Sequence, residues 1–552
     1  MGEIKIETAY KKKDAEKAGH PAIKGADIGS SSQIFFVVKT RPAYLFCLLF
    51  LALVVIGGLY VLIQPQPDPG RKLFAKTRQI LRQKRFKTDL SEFDLSSPPQ
   101  MMEREAILKA AVPGNTGSAF AARQDFMEPI GIHSAIVVWR QDILKSRNGN
   151  WPNERDELTW DDLRKTLVAN QPQLDAACAA ILSGPISFNL DASRGYAMPL
   201  PHLEVLKNLT QALSSRLLLM LHDGDEGAAF TNLMASTRLV TTWSVEPLEI
   251  SHLVLFADEN MVFNATWQAL QTKSWPDDQL ARLQEQWESV NFLTNLPEIV
   301  AFQRACRIAA QNQNTNETAH PSMMLRDFLH DSWSDPLNLW HTFQYQLRHR
   351  AYLRWGQYED EKEALLFYRN REIEMRKAVL AGTWLQMRQL PGAAKDITFK
   401  SKYSSRAQII ENVRRLTLII QKRGISFLAC AAGAEAERRI LITALALERY
   451  CGKHGYYPNS LAALVPEFLT AMPLDFMDGQ PLRYRLYSDG SNRHFLLYSV
   501  GLNCIEDGGK FPTRPKNGED WQIQTGSVRM FGSDILWPLP ASPPEAVTAL
   551  QK

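Results

Sequence analysis

Chemistry in a chain of 552 residues has to come from a small set of side chains, and here the supply is scattered. The eleven histidines form no HExxH pair. His341 and His349, eight apart, could share one helix face as metal ligands, but solvated or core positions are the ordinary reading of such a pair. The acidic run Glu359, Asp360, Glu361 and Glu363 reads as a wet helix face. Two carboxylates for glycoside chemistry must face each other across a cleft, which spacing along one chain does not reveal. GxSxG, GxxxxGK[ST] and GxGxxG are absent, so the α/β-hydrolase elbow, the P-loop and the dinucleotide fingerprint lack their usual marks. Six cysteines without a CxxC pair indicate neither a zinc cluster nor a disulfide framework.

The elements that position any site can be read more firmly. With 45% hydrophobic and 22% charged residues the chain can bury large cores, and a mean hydropathy of -0.24 excludes a polytopic membrane protein. Residues 43–63 (AYLFCLLFLALVVIGGLYVLI) carry no charge and would reach about 31 Å as a helix, enough to cross a bilayer core. We read them as a transmembrane helix; a cleaved signal peptide or a buried core helix fits their length and position less well. Residues 1–90 hold sixteen Lys/Arg against seven Asp/Glu, a balance of +9 in a chain of +4, so the cations bracket the apolar run and anionic lipid suits them better than nucleic acid. Near flanks favour the opposite orientation weakly, with Lys24, Lys39 and Arg41 before the span and Arg71, Lys72, Lys76, Arg78 and Arg82 after it. A lysine-rich tail resists translocation, so we place the N-terminus in the cytoplasm and the large domain outside it. Residues 71–87, with Leu73, Phe74, Ile80 and Leu81 among eight cations, read either as a helix lying on headgroups or as a solvated helix leading into the fold.

From about residue 159 to 424 the pattern is helical. Thr159 and Asp162 form a capping box. Residues 202–222 and 227–243 form an antiparallel pair broken at Asp223-Gly224-Asp225, similar to one tetratricopeptide-type pair over about 203–243, but no 34-residue register recurs. Further helices are predicted over 248–273, 276–290 (Ser274 as cap), 296–311, 336–381 and 405–421. Beyond them, a helix over 437–452 stops near Gly455, Asn459 or Ser460 caps a short helix over 461–465, and two strands, 482–487 and 494–500, form a hairpin. The tail 521–540 offers one more strand-like piece, extending the sheet or docking on the helices through Phe531, Ile535 and Trp537.

The words of this last region run in a definite order: Tyr450, Gly455-Tyr456-Tyr457-Pro458, Leu461 and Leu464, Phe468-Leu469, Pro473-Leu474-Asp475, Asp478-Gly479-Gln480-Pro481-Leu482-Arg483-Tyr484, Leu497-Tyr498-Ser499-Val500-Gly501 and Glu506-Asp507-Gly508-Gly509. They resemble the globular part of the bacterial type II secretion major pseudopilin, over about 435–509. The resemblance implies a helix packed on a small antiparallel sheet and a secretion or pilus-like context, with Tyr457, Pro458, Pro473, Asp475, Gly479, Tyr484, Ser499 and Gly501 in folding roles and no catalytic centre. It also implies a calcium site in the loop after Ser499, for which this chain offers Asn503, Glu506 and Asp507, with Asp520 later. That is only part of the six to eight oxygens calcium takes, so a solvated acidic turn stays open and no other cofactor is expected. Pseudopilins carry this module directly on their membrane helix; here some 370 residues intervene and no Gly-Phe-Thr-Leu-x-Glu leader precedes the span, which weighs against pilus assembly.

The expected fold class is therefore mostly α: a single N-terminal transmembrane helix, an irregular helical array and a small C-terminal α+β module of helix plus antiparallel sheet. The expected organisation is a basic cytoplasmic tail (1–42), the transmembrane helix (43–63), a basic juxtamembrane helix and linker (64–125), the array (126–430), the pseudopilin-like module (431–540) and a disordered tail (541–552). The expected function is a membrane-anchored, non-enzymatic scaffold or interaction protein of the bacterial inner membrane, with lipid bilayer and other envelope proteins as partners and no nucleic acid. The alternative is an anchored envelope hydrolase with a carboxylate site between array and module.

Overall fold

A computed structural model describes residues 49–50, 53, 69–111, 127–142, 144–145, 157–317, 357–390, 424–487, 495–511, 523–525, 528–530, 534–542 and 544–545. The chain forms two compact units, Met1–Gln66 and Pro67–Lys552. In the first, Leu49, Phe50 and Leu53 are described, helical and exposed; the rest of the expected span lies outside the described residues, as do His341, His349, Phe531, Asp520, residues 336–356 of one predicted helix, the 405–421 helix and the 488–494 turn region. Among the described residues no helix is long and apolar enough to cross a membrane.

The second unit is mostly helical with a small antiparallel sheet. In chain order its helices are α1 (Pro69–Gln83), α2 (Pro99–Ala111), α3 (Trp160–Ala169), α4 (Gln171–Ser183), α5 (His202–His222), α6 (Glu226–Thr241), α7 (Glu249–Ala269), α8 (Asp277–Glu288), α9 (Leu296–Glu317), α10 (Gln357–Leu380), α11 (Trp384–Met387) and α12 (Gly424–His454). Its strands are β1 (Glu128–Pro129), β2 (Ser134–Ile136), β3 (Leu144–Lys145), β4 (Glu157–Leu158), β5 (Arg483–Leu486), β6 (Phe495–Ser499), β7 (Ile523–Thr525), β8 (Val528–Met530), β9 (Ile535–Trp537) and β10 (Leu539–Pro540).

Local chemistry explains most boundaries. The Thr159 side chain accepts from the Asp162 N–H while Asp162 accepts from the Thr159 N–H, a reciprocal cap worth about 1 kcal/mol to α3. Gly224, at φ +79°, turns α5 back as α6, and Gly455, also at φ +79°, ends α12. Other expectations fail for local reasons. Ser274 does not cap α8: its hydroxyl meets Thr272, and Pro276 takes the N-cap position with no side-chain bond. Ser460 stands before the 3₁₀ turn Leu461–Leu464 without donating or accepting as a cap. Glu361, expected on a wet face, is buried against Arg307, which grips it through two nitrogens at 3.1 and 2.6 Å.

The helix expected from Glu437 begins at Gly424. Its first half, rich in alanine, is buried (Ala429, Ala431, Ala432, Ala434 and Ala436), and small side chains let neighbouring helices approach closely enough to stabilise the run past Gly433. α12 packs against α7 and α8 and against β6, β7 and β9. One continuous core therefore joins array and module, centred on Trp267 and Trp287, each fully buried and contributing roughly 1.5–3 kcal/mol by area.

The sheet order is β5-β6-β9, all antiparallel, with Tyr484 opposite Leu497 and Tyr498 opposite Leu536. β6 alternates as expected: Phe495 and Leu497 join the main core, Leu496 and Tyr498 a second cluster with Leu536 and Leu539. The tail both extends the sheet and docks on the array. Trp537 meets Phe263 edge to face at 5.4 Å, and the Trp267 indole donates to Pro538 O at 2.9 Å. β10 then runs parallel to β2, which pairs with β1, so strands occur where only helices were expected. α1 is amphipathic against protein: Phe74 and Leu81 are buried with Ile308 and Leu365, while Leu73 and Ile80 face outward.

Candidate functional site

The motif residues fall into two connected places. In the first, Asp475 is fully buried at the mouth of the hairpin and accepts from Met477 N–H (2.9 Å), Val500 N–H (2.9 Å), Ser499 Oγ (2.7 Å) and Arg483 Nη1 (3.1 Å). Burial pushes its carboxyl up, against the pull of these hydrogen bonds. Ser499 Oγ also accepts from the Gly501 N–H at 3.3 Å, and Gly501 turns at φ +64°. Pro473 O accepts the Leu482 N–H at 3.0 Å, and Asp475 N–H donates to Gln480 O at 2.7 Å, closing the turn in which Gly479 sits at φ +79°. A Cβ on Gly479 would come within 2.9 Å of Thr383 Cγ2.

Arg483 gathers the charges of this frame: Asp475, Asp478 (2.5 Å) and Glu506 (3.0 Å) converge on one guanidinium. Glu506 also accepts from the Tyr498 hydroxyl, Asn503 Nδ2 donates to Asp507 at 3.2 Å, and Asp507 N–H points to Asp534 at 3.4 Å. Asn503, Glu506 and Asp507 thus hold hydrogen bonds of the chain's own, and among the described residues no group of three or more His, Cys, Asp or Glu is arranged to hold a metal ion.

The second place is the end of α12. Tyr484 OH donates to Pro458 O at 2.7 Å, and both Tyr484 and Tyr457 pack on Phe495. Tyr457 OH reaches both oxygens of Glu448, at 2.8 and 2.9 Å. Glu448 lines a cleft of about 700 Å³ between the turn joining α7 to α8 and the last turns of α12. Burial pushes its carboxyl up to about 7, with Lys273 and Tyr457 pulling the other way. Burial lowers Lys273 in turn, and raises Tyr457 and Cys451. The other acids of the cleft are held: Arg449 binds Asp277 through Nε (2.8 Å) and Nη2 (3.3 Å), and Lys453 pairs with Glu467. Leu270, Trp275, Leu280 and Phe468 supply apolar walls.

A second hollow of about 490 Å³ lies beside the 3₁₀ turn Leu90–Glu92. Its acids Asp89, Asp94 and Asp191 each accept from the N–H and hydroxyl of a serine two residues on, which is turn chemistry. The cleft at Glu448 is therefore the candidate site.

The motif named Tyr457 but not its partner. Glu448 had a signal: it lies seven residues after Leu441, on the stripe Leu441, Ala444 and Leu445, and an acid on the buried stripe of a helix has to be compensated or protonated. Lys273 had none, because only the turn at φ +58° brings it there. Compared with protein-family models, with curated proteins and with solved structures, the chain matches none.

Proposed function

We propose that the chain is a membrane-anchored, non-enzymatic scaffold or interaction protein of the bacterial envelope, working with a type II secretion or pilus-like assembly. The observation that supports it is the frame around Asp475: among the residues that resemble a pseudopilin, Asp475 ties the turn before the sheet to Arg483, Ser499 and Val500, Tyr484 ties the sheet to Pro458, and Tyr457 ties that segment to Glu448 on the helix. Because α12 is shared between module and array, the module on this reading is a fixed face of a larger body. Residues 43–63 are its anchor in the inner membrane, with the N-terminus cytoplasmic and the large unit outside, facing lipid and other envelope proteins.

The test is affinity purification of the full chain from detergent-solubilised membranes, with mass spectrometry of what co-elutes. Components of a secretion or pilus-like machine are expected, and recovering no envelope partner across repeats would remove the reading. A reporter active only in the periplasm, fused after Lys552, is expected to be active; silence would reverse the orientation.

Glu448 favours a second reading, an envelope hydrolase with its carboxylate between array and module. Its carboxyl is about half protonated near neutral pH, as a general acid or base requires. Chemistry with two carboxylates would need Asp277 or Glu467 to leave its cation. Turnover of a glycan or peptide substrate by the wild type and not by Glu448→Gln, with partner capture unchanged, would decide for this reading.

A further inference from the structure

Folding leaves two charged groups of the cleft unexplained. Lys273 holds a left-handed backbone at φ +58°, which a non-glycine residue adopts at a cost; Arg85 and Cys504 do so too, and of the three only Lys273 lines the cleft. The strain places its ammonium 5.6 Å from the centre of the Tyr457 ring, beside Glu448, with no ion pair among the described residues. Arg449 and Lys453 are already neutralised by Asp277 and Glu467, so the charge available to a ligand is that of Lys273, with the Glu448 carboxyl beside it. Arg140 and Cys451 are the other titratable groups near Lys273, and Tyr457 the one bonded to Glu448.

A cleft of about 700 Å³ lies within the range that small organic ligands occupy. A single ammonium beside a carboxyl that can donate a hydrogen bond makes a two-point grip for a singly charged carboxylate. A phosphate would call for further cations, and those of the cleft are committed. A cationic ligand would meet Lys273. The walls on either side, Leu270 with Trp275 and Leu280 with Phe468, suit an apolar body.

We propose that this cleft binds an organic acid with an apolar body, its carboxylate held between the Lys273 ammonium and the protonated Glu448 carboxyl. This goes beyond the scaffold reading and does not depend on it. Ionisation of Glu448 replaces a donor by a like charge facing the ligand, so binding weakens as pH rises through about 7.

The test is calorimetric titration of 3-phenylpropionate, with 3-phenylpropanamide as the neutral control, into the full chain in lipid nanodiscs, corrected against empty discs. At pH 6 the acid is expected to bind at least tenfold more tightly than the amide, and to weaken about tenfold or more by pH 8.5. Lys273→Gly suits the left-handed backbone, so it is expected to fold, with an unfolding midpoint near wild type as the check, and to cost at least tenfold in acid binding. Glu448→Gln keeps a donor and is expected to bind the acid with the pH dependence flattened. Equal binding of acid and amide, undiminished binding in Lys273→Gly, an unchanged pH profile in Glu448→Gln, or no saturable binding at pH 6 would each overturn the proposal.

Discussion

Replacing Asp475 by alanine separates a folding role from a functional one. The carboxylate is fully buried and answers four donors, from Met477, Val500, Ser499 and Arg483. Removal leaves two buried N–H groups and one hydroxyl without their acceptor, each worth about 1–3 kcal/mol when orphaned. Arg483 loses less, since Asp478 and Glu506 still hold it. Entering water and shared relaxation keep these losses from adding fully, so the expected cost is about 3–5 kcal/mol. Asp475→Asn preserves shape but turns an amide NH₂ toward two of the four donors, for about 2–3 kcal/mol. Asp478→Ala, at the partly exposed edge, is expected to cost about 1 kcal/mol. The assay is urea unfolding of the full chain followed by tryptophan fluorescence, in which a loss of 4 kcal/mol moves the midpoint by more than about 1 M. An alanine variant within about 1 kcal/mol of wild type, or an Asp478 variant worse than the Asp475 one, would refute the claim that the Pro-Leu-Asp word is there for folding.

Two further outcomes follow from buried charge. Arg304 is fully buried, bonded to Glu372 at 2.6 Å and to Lys87 O at 2.7 Å; Arg304→Ala leaves Glu372 to Arg376 alone, which holds its other oxygen at 2.5 Å, and is expected to cost about 2–4 kcal/mol by thermal or urea unfolding, and a loss below about 1 kcal/mol would show the pair to be unimportant. Glu448 holds its proton more tightly folded, about 7 against 4.5 unfolded, so its contribution is fully present below about pH 4.5 and disappears as pH rises through 7. Glu448→Gln is therefore expected to flatten the decline of stability between pH 5 and 8 by about 2.5 kcal/mol, and parallel pH profiles for variant and wild type would contradict the assignment.

Local rules carried far in this sequence. The Thr159 cap, the turns at Gly224 and Gly455 and the pairing of 482–487 with 494–500 each depend on a few neighbouring residues, and they stand where the spacing put them. What local rules missed is non-local. β1 and β2 span two and three residues, too short for any alternation to register as a hairpin, and the strand that joins them, β10, comes to Ser134 and Ala135 from the far end of the chain. The early start of α12 was obscured by Gly433, whose propensity cost is outweighed by close packing of the alanines around it. At the candidate site Tyr457 was legible from its motif and Glu448 from its place on an apolar stripe, while Lys273 depended on a backbone conformation that no spacing announces.

The buried acids divide into two kinds, and the division bears on where function resides. Asp475, Glu361, Glu372 and Glu435 each face arginine or several donors, which fixes neighbouring elements and leaves nothing to react. Glu259, Glu437 and Glu448 face one another, amides or hydroxyls, and burial raises all three, Glu259 well above the ordinary carboxylate range. Glu259 is fully buried near Glu437, which accepts from Asn260 Nδ2 at 3.0 and 3.1 Å; burial and the neighbouring Glu437 charge both push Glu259 up. Glu437 and Glu448 are eleven residues apart on one helix, about three turns, and so share a face of α12. α12 thus carries carboxyls raised by burial both along its contact with α7, at Glu437, and at the cleft beside Lys273, at Glu448, which is why the cleft and not the Asp475 frame is where titration can be read.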